Sequence, residues 1–218
     1  MKKSILFIFF SLISFFSISQ IEKWDTVIYK GGYASYFSYE HRNPVMLVYK
    51  LYKGGGPCKR DGFKFKNDLN IPAATTNEYL RSGYDKGHLA NAEDFAYDCR
   101  LDELTFRYYN CVPQRPELNR GIWKVTEEEI RKISQTDSLL VICINQFGPS
   151  CPKMGKGVSV PQNCIKIAAS LSTGKIYVCR SFSNSKTPSQ KDLPSDYLSK
   201  TAKLLLVDLK RNLYISPR

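Results

Sequence analysis

Residues 82–93 read Ser-Gly-Tyr-Asp-Lys-Gly-His-Leu-Ala-Asn-Ala-Glu and include His88, one of only two histidines in the chain. Downstream lie Asn110-Cys-Val-Pro-Gln114 and then Asn119, Trp123 and Glu127 at steps of four. An imidazole can take a proton from water, because its ordinary pKa of about 6.5 leaves it largely neutral at pH 7. An amide oxygen can bind a hard cation, and a carboxylate can order the water around it. In a chain of formal charge +12, these groups together point to metal-assisted cleavage of a polyanion.

Each group has a blander reading when taken alone. A histidine after a glycine serves structure as readily as catalysis, although Gly87 permits a tight turn or close approach by a substrate. Asn119 and Glu127 on one helix face lie about 12 Å apart along the axis at ~1.5 Å rise per residue, too far to bind one ion directly. Asn119, near the helix start, is the better inner ligand, with Glu127 reaching water on the metal or another polar group. Mg²⁺ suits so sparse a site because it keeps several waters. The alternative is a capping or solvent-facing asparagine above an ordinary amphipathic helix. His41, in a turn before Asn43-Pro44, reads as a surface turn residue.

At 218 residues and 43% hydrophobic, the chain can bury one substantial core, which we read as a single domain over residues 20–218. Residues 1–19 read as a signal peptide: Met1-Lys2-Lys3, an apolar run over 5–16, then Ser17-Ile18-Ser19 before the cleavage point. The run is shorter than the roughly 20 residues of a membrane span. A secreted or periplasmic protein with no stable membrane association follows. Removing the segment takes two lysines and no acids, so the charge falls from +12 to +10. A basic surface by itself gives only solubility and attraction to anions. Joined to a site, as with Lys59, Arg60, Lys64, Lys66, Arg81 and Lys86 around the first motif, it points to nucleic acid.

The seven cysteines include no Cys-x-x-Cys pair, which speaks against structural zinc. Their odd number leaves at least one thiol free or paired outside the chain. Cys143 and Cys179 stand in apolar runs and read as buried and inert. No second histidine lies in a motif that could activate a catalytic thiol.

Strands are predicted over 26–29, 33–39 and 45–52, followed by a long ordered loop over 53–80 that carries Arg60. His88 falls at a strand end, and a helix follows over 116–134. The apolar run 139–144 predicts a central strand, with further strands over 158–161, 164–169 and 175–179. A polar loop spans 183–195, and helical spacing resumes over 197–213. The fold class is α+β, with a mixed or antiparallel central sheet flanked by helices and long loops.

Asp85-Lys-Gly-His88 with Leu89-Ala90 resembles the Asp-Arg-Gly-His signature of the sugar-non-specific DNA/RNA endonucleases, which carry a ββα-metal (His-Me finger) active-site motif. Asn110-x-x-Pro113-Gln114 followed by Leu118-Asn119-x-x-x-Trp123-x-x-x-Glu127 resembles that family's second signature in residue type and spacing. Arg60 with Phe65 and Asp68 is similar to its arginine segment, and Val160-Pro161 to Lys166-Ile167 to its later strand region. The resemblance covers roughly residues 25 to 180. It implies His88 as general base, Asn119 as the protein ligand of Mg²⁺ (with Mn²⁺ as a substitute), and Arg60 as stabiliser of the phosphate. It further implies that Glu127 orders the hydrated metal, that Lys86 contributes charge, and that Asp85, Asn110 and Gln114 support the site. DNA and RNA would be the substrates, 5′-phosphates the products, and a homodimer is compatible with the pattern. Trp123 reads as core packing beneath the site. Lys86 stands where the family usually has Arg, which keeps the charge but loses the bidentate fork for phosphate. Asn91 stands where the family often has Pro, a change expected to alter only the local turn.

Two other readings use less of this pattern. A catalytically weak relative that binds polyanions through its basic surface finds support in Lys86. A disulfide-stabilised secreted structural or adhesion protein explains the cysteines and leaves the motifs as coincidence.

Overall fold

The computed structural model describes residues 23–194 and Tyr197. The expected signal segment, and the helix expected over 197–213 apart from Tyr197, lie outside the described residues. The described elements, in chain order, begin with β1 (Thr26–Lys30), β2 (Tyr33–Ser38), β3 (Asn43–Leu51), α1 (Thr76–Tyr79), β4 (Asp85–His88), α2 (Cys99–Thr105) and β5 (Cys111–Gln114). They continue with α3 (Pro116–Leu118), α4 (Lys124–Ile133), β6 (Leu139–Gln146), β7 (Lys153–Met154), β8 (Val158–Ser159), β9 (Asn163–Ser170), β10 (Ile176–Ser183) and β11 (Gln190–Asp192).

Seven strands form one sheet in the order β1-β2-β3-β6-β9-β10-β11, and every neighbouring pair is antiparallel. The run Leu139-Leu-Val-Ile-Cys-Ile144 is buried throughout because β6 sits at the middle of the sheet with side chains packed on both faces. Strand alternation sends Val141 and Cys143 into one core, with Leu47, Leu89, Leu118 and Trp123. It sends Ile142 and Ile144 into the other, with Met46, Val48, Ile165 and Ile167. The first of these cores takes in Leu89, next to His88, and Leu118, next to Asn119.

The remaining strands are short. β4 and β5 form a two-stranded antiparallel ribbon in which Asp85 faces Gln114 and His88 faces Cys111. β7 and β8 form a second ribbon. The expected strands of the large sheet are present, as is the long loop over 53–80, interrupted by α1. Sequence reading missed β5, β7, β11, α1 and α2. β5 is too short for a period to register, and β11 is short, polar and exposed. α2 had a readable start, since Asp98 caps it by accepting from Arg100 N (2.9 Å) and Leu101 N (3.2 Å). The helix expected over 116–134 is broken: residues 119–123 form a wide turn, and Gly121 leaves helical geometry at φ −103°, ψ −117°.

Cys58 and Cys99 form a disulfide across 41 residues, clipping the Arg60 loop to the start of α2. The other five cysteines are free thiols. Alkylation of the denatured, unreduced protein should therefore label five thiols. Cys58→Ser should lower stability in chemical denaturation by about 2–4 kcal/mol through the lost constraint on the unfolded chain.

Candidate active site

His88 ends β4, and two buried polar side chains shape its surroundings. Gln114 lies across Gly87 so closely that a Cβ there would meet its Oε1 at 2.1 Å, so glycine is the residue that fits. Asn110 clasps the bend after His88. Its Oδ1 accepts from Ala90 N (2.9 Å), while its Nδ2 donates to the carbonyls of Ala90 (3.0 Å) and Thr105 (2.7 Å). The imidazole lies between Phe65 and Phe106, each with its ring centre 4.8 Å away. Its Nε2 is shielded and has no hydrogen-bond partner among the described residues. Burial first, then the charges of Arg60 and Lys166, lower the His88 pKa to about 3. The ring is therefore neutral at pH 7, more firmly than an unperturbed histidine, and Nδ1, which is not among the shielded atoms, is the acceptor when the proton sits on Nε2.

Asn119, at the start of the wide turn, donates from Nδ2 to Asp85 Oδ2 at 3.0 Å. A carboxylate can only accept, so the amide nitrogen must face Asp85, and Oδ1 is left without a partner among the described residues. Arg120 grips the same carboxylate through Nε (2.8 Å) and Nη2 (2.7 Å). Burial pushes the Asp85 carboxyl up, but the hydrogen bonds from Arg120 and Asn119 outweigh it and hold the pKa below the usual range. Arg60 is anchored by two acids, with Nε on Asp102 (2.9 Å) and Nη2 on Glu93 (2.7 Å).

Glu127, on α4, is buried and has both oxygens occupied. Oε1 accepts from Lys166 Nζ at 2.7 Å, and Oε2 accepts from Asn91 Nδ2. Lys166 has no exposed surface, approaches the Leu89 carbonyl at 3.4 Å and sits 4.3 Å from the centre of the Trp123 ring. Trp123 donates from its indole nitrogen to the His88 carbonyl (3.3 Å) and packs edge-on against Phe182. Burial raises the Glu127 pKa, opposed by Lys166; burial lowers that of Lys166, but Glu127 overcomes it and holds the ammonium protonated. Arg131, one helical turn beyond Glu127, donates to Asp94 Oδ1 (2.8 Å) and Asn91 Oδ1 (2.9 Å). Sequence reading assigned no role at the site to Lys166, Arg131 or Asp94, and gave Asn91 only a local turn. The signal for Lys166 was present: a lone charge at an inward position of an apolar strand.

One cavity of about 820 Å³ gathers His88, Arg60, Asn119 and Glu127, along with Arg120 and Arg131. Asp85, Asn110 and Gln114 stand behind it rather than in its wall. Lys86 is outside the wall too, with its ammonium 5.6 Å from the Phe65 ring and 5.5 Å from the Tyr79 ring. No group of three or more His, Cys, Asp or Glu residues among the described residues is arranged to hold a metal ion. The oxygen that fits a hard cation is Asn119 Oδ1, oriented by Asp85 and otherwise uncommitted. One such oxygen with several waters matches the habits of Mg²⁺.

The shifted imidazole is directly measurable. Folding holds the ring neutral, so its contribution to stability is complete above the free-imidazole pKa of about 6.5 and is lost as pH falls toward about 3. In an NMR titration, the ring resonance that disappears in His88→Ala should not move between pH 8 and pH 5; a midpoint near 6.5 would contradict this environment.

Over residues 18–205 the chain matches the family model described as DNA/RNA non-specific endonuclease. It is 25% identical to mitochondrial endonuclease G of Bos taurus over 185 residues, 77% of this chain and 62% of that protein. Identity is 39% with mitochondrial nuclease EXOG of Xenopus laevis over 99 residues, 43% of this chain and 28% of that protein. A nuclease of Nostoc is 33% identical over 112 residues, covering 49% of this chain and 40% of that protein. The chain thus spans less than two thirds of the length of these relatives. It also matches a chain in the crystal structure of the EndoG/EndoGI complex with a TM-score of 0.70 at 23% identity, covering 83% of this chain and 85% of that one. That structural likeness speaks for the fold. The family match extends over most of the sequence, and the chain belongs to the DNA/RNA non-specific endonuclease family.

Proposed function

We propose that the protein is an exported, Mg²⁺-dependent endonuclease that hydrolyses phosphodiester bonds of DNA and RNA with little sequence preference. The observation that carries this reading is that one cavity wall holds both His88, a neutral imidazole whose Nε2 is shielded and whose Nδ1 is not among the shielded atoms, and Asn119 with its uncommitted Oδ1. The β4–β5 ribbon with α4 is read as the ββα-metal motif. Export rests on the segment 1–19.

Asn119 would hold Mg²⁺, or Mn²⁺ in its place, and Glu127 would order its water. When bound, the ion supplies charge neutralisation at the phosphate and the leaving oxygen. His88 takes the proton of the attacking water, whose oxygen bonds to phosphorus as the bond to O3′ breaks. The products are a 5′-phosphate and a 3′-hydroxyl, the latter protonated from solvent. His88 is a weak base in the free protein, and the negative charge of an entering phosphodiester offsets the nearby cations and raises its basicity. Arg60 presents to the phosphate the Nη1 group that its carboxylates leave free. Lys86, above the Phe65 ring that also flanks His88, adds charge without reaching the cavity wall. A site that holds mainly phosphates cannot discriminate bases, which accounts for low specificity.

The test is incubation of plasmid DNA and a structured RNA with the purified protein, with Mg²⁺ and with EDTA. Cleavage of both polymers is expected, abolished by EDTA and reduced about 10²–10⁴-fold in His88→Ala. A folded protein that binds DNA in a salt-steep manner yet cuts neither polymer would instead establish the polyanion-binding reading.

A further inference from the structure

Glu127 and Arg131 stand four residues apart on α4, the spacing at which an acid and a base on a helix normally pair directly. They do not pair. The Asn91 side chain lies between them, donating from Nδ2 to Glu127 Oε2 and accepting at Oδ1 from Arg131 Nη2 at 2.9 Å. The same Oδ1 accepts from Glu93 N at 2.8 Å, which fixes the amide at the start of the short turn over Ala92–Phe95. The orientation is dictated by chemistry, because a carboxylate only accepts and a guanidinium only donates. Meanwhile Arg131 Nε is held by Asp94, a buried acid that also accepts from the Tyr49 hydroxyl at 2.7 Å. With Nε and Nη2 engaged, Arg131 Nη1 is the end without a partner among the described residues, and Arg131 lines the cavity.

We propose that Asn91 is a positioning residue that acts as a neutral spacer, keeping Glu127 and Arg131 from neutralising each other. Its amide satisfies the carboxylate at one end and the guanidinium at the other, so Glu127 stays paired with Lys166 and the Arg131 charge survives on the cavity wall. Without it, Arg131 swings onto Glu127 and takes its charge away from an incoming phosphate, while Glu127 divides its attention between Arg131 and Lys166. The role is peculiar to an amide: Asp at this position would oppose Glu127 with a second negative charge, and a hydrocarbon would offer neither end.

The backbone allows a clean test. Asn91 has φ −69° and ψ 132°, its own N–H makes no hydrogen bond among the described residues, and proline fits such a φ without disturbance. Asn91→Pro therefore removes the spacer while keeping the chain path, and Asn91→Ala does so without the ring. The inference rests on the nuclease reading for its consequence but not for its geometry, so two measurements are needed. The first is a crystal structure of each variant, in which the Arg131 guanidinium should contact the Glu127 carboxylate directly. The second is DNA binding in EDTA as a function of salt. Loss of one phosphate-facing cation should reduce the steepness of log K against log[salt] by about 0.9, an effect that a merely structural role would not produce. Unchanged separation of Glu127 and Arg131 in both variants, or an unchanged salt slope with the pair collapsed, would overturn the proposal. If the native protein neither cuts nor binds DNA, the nuclease reading fails by itself, and the crystal structures still decide whether Asn91 is the spacer.

Discussion

An ammonium with no exposed surface can stay charged in a protein interior only against a carboxylate, and Lys166 meets Glu127 at 2.7 Å. This contact joins the large sheet to α4. Lys166 belongs to β9, an inner strand beside β6 in the seven-stranded sheet, while Glu127 belongs to the helix that follows Asn119. The same ammonium reaches the carbonyl of Leu89, the residue after His88, and lies over the ring of Trp123, whose indole holds the His88 carbonyl. The ribbon that carries His88 and the helix that follows Asn119 are thereby referenced to one rigid point. Removing either charge would leave the other buried and unpaired, so the pair is far more costly to break than its net contribution to folding implies.

The arginines of the cavity follow a common plan. Arg60, Arg120 and Arg131 each engage protein acceptors through Nε and Nη2, leaving Nη1 without a partner among the described residues. A guanidinium is suited to this because its donors are rigidly forked, so that fixing one edge aims the other. Donors aimed in advance at an anion need not reorganise when it arrives. The overall excess of positive charge explains attraction to a polyanion. These anchored edges explain how such attraction could be turned into orientation.

The large sheet was legible because its strands are long enough for alternation and apolar runs to register, as in the run 139–144. The spacing of His88, Asn119 and Glu127, and the long loop carrying Arg60, also led to residues that the fold brings to one cavity. What escaped depended on distant partners. Nothing local tells that Asn91 bridges Glu127 and Arg131, since those contacts span 36 and 40 residues. The regular helix expected over 116–134 failed at Gly121, where a residue free of Cβ crowding lets the chain leave helical geometry between Asn119 and Glu127. Axial spacing on an ideal helix was therefore a poor guide to how these two side chains reach the same cavity.

The most direct test of the buried pair as organiser is equilibrium unfolding of Lys166→Met, Glu127→Leu and the double variant. The account predicts that each single change costs about 3–5 kcal/mol by stranding a buried charge or its partner, and that the double variant recovers most of that loss. Near-neutral single variants, or losses that simply add in the double variant, would contradict it.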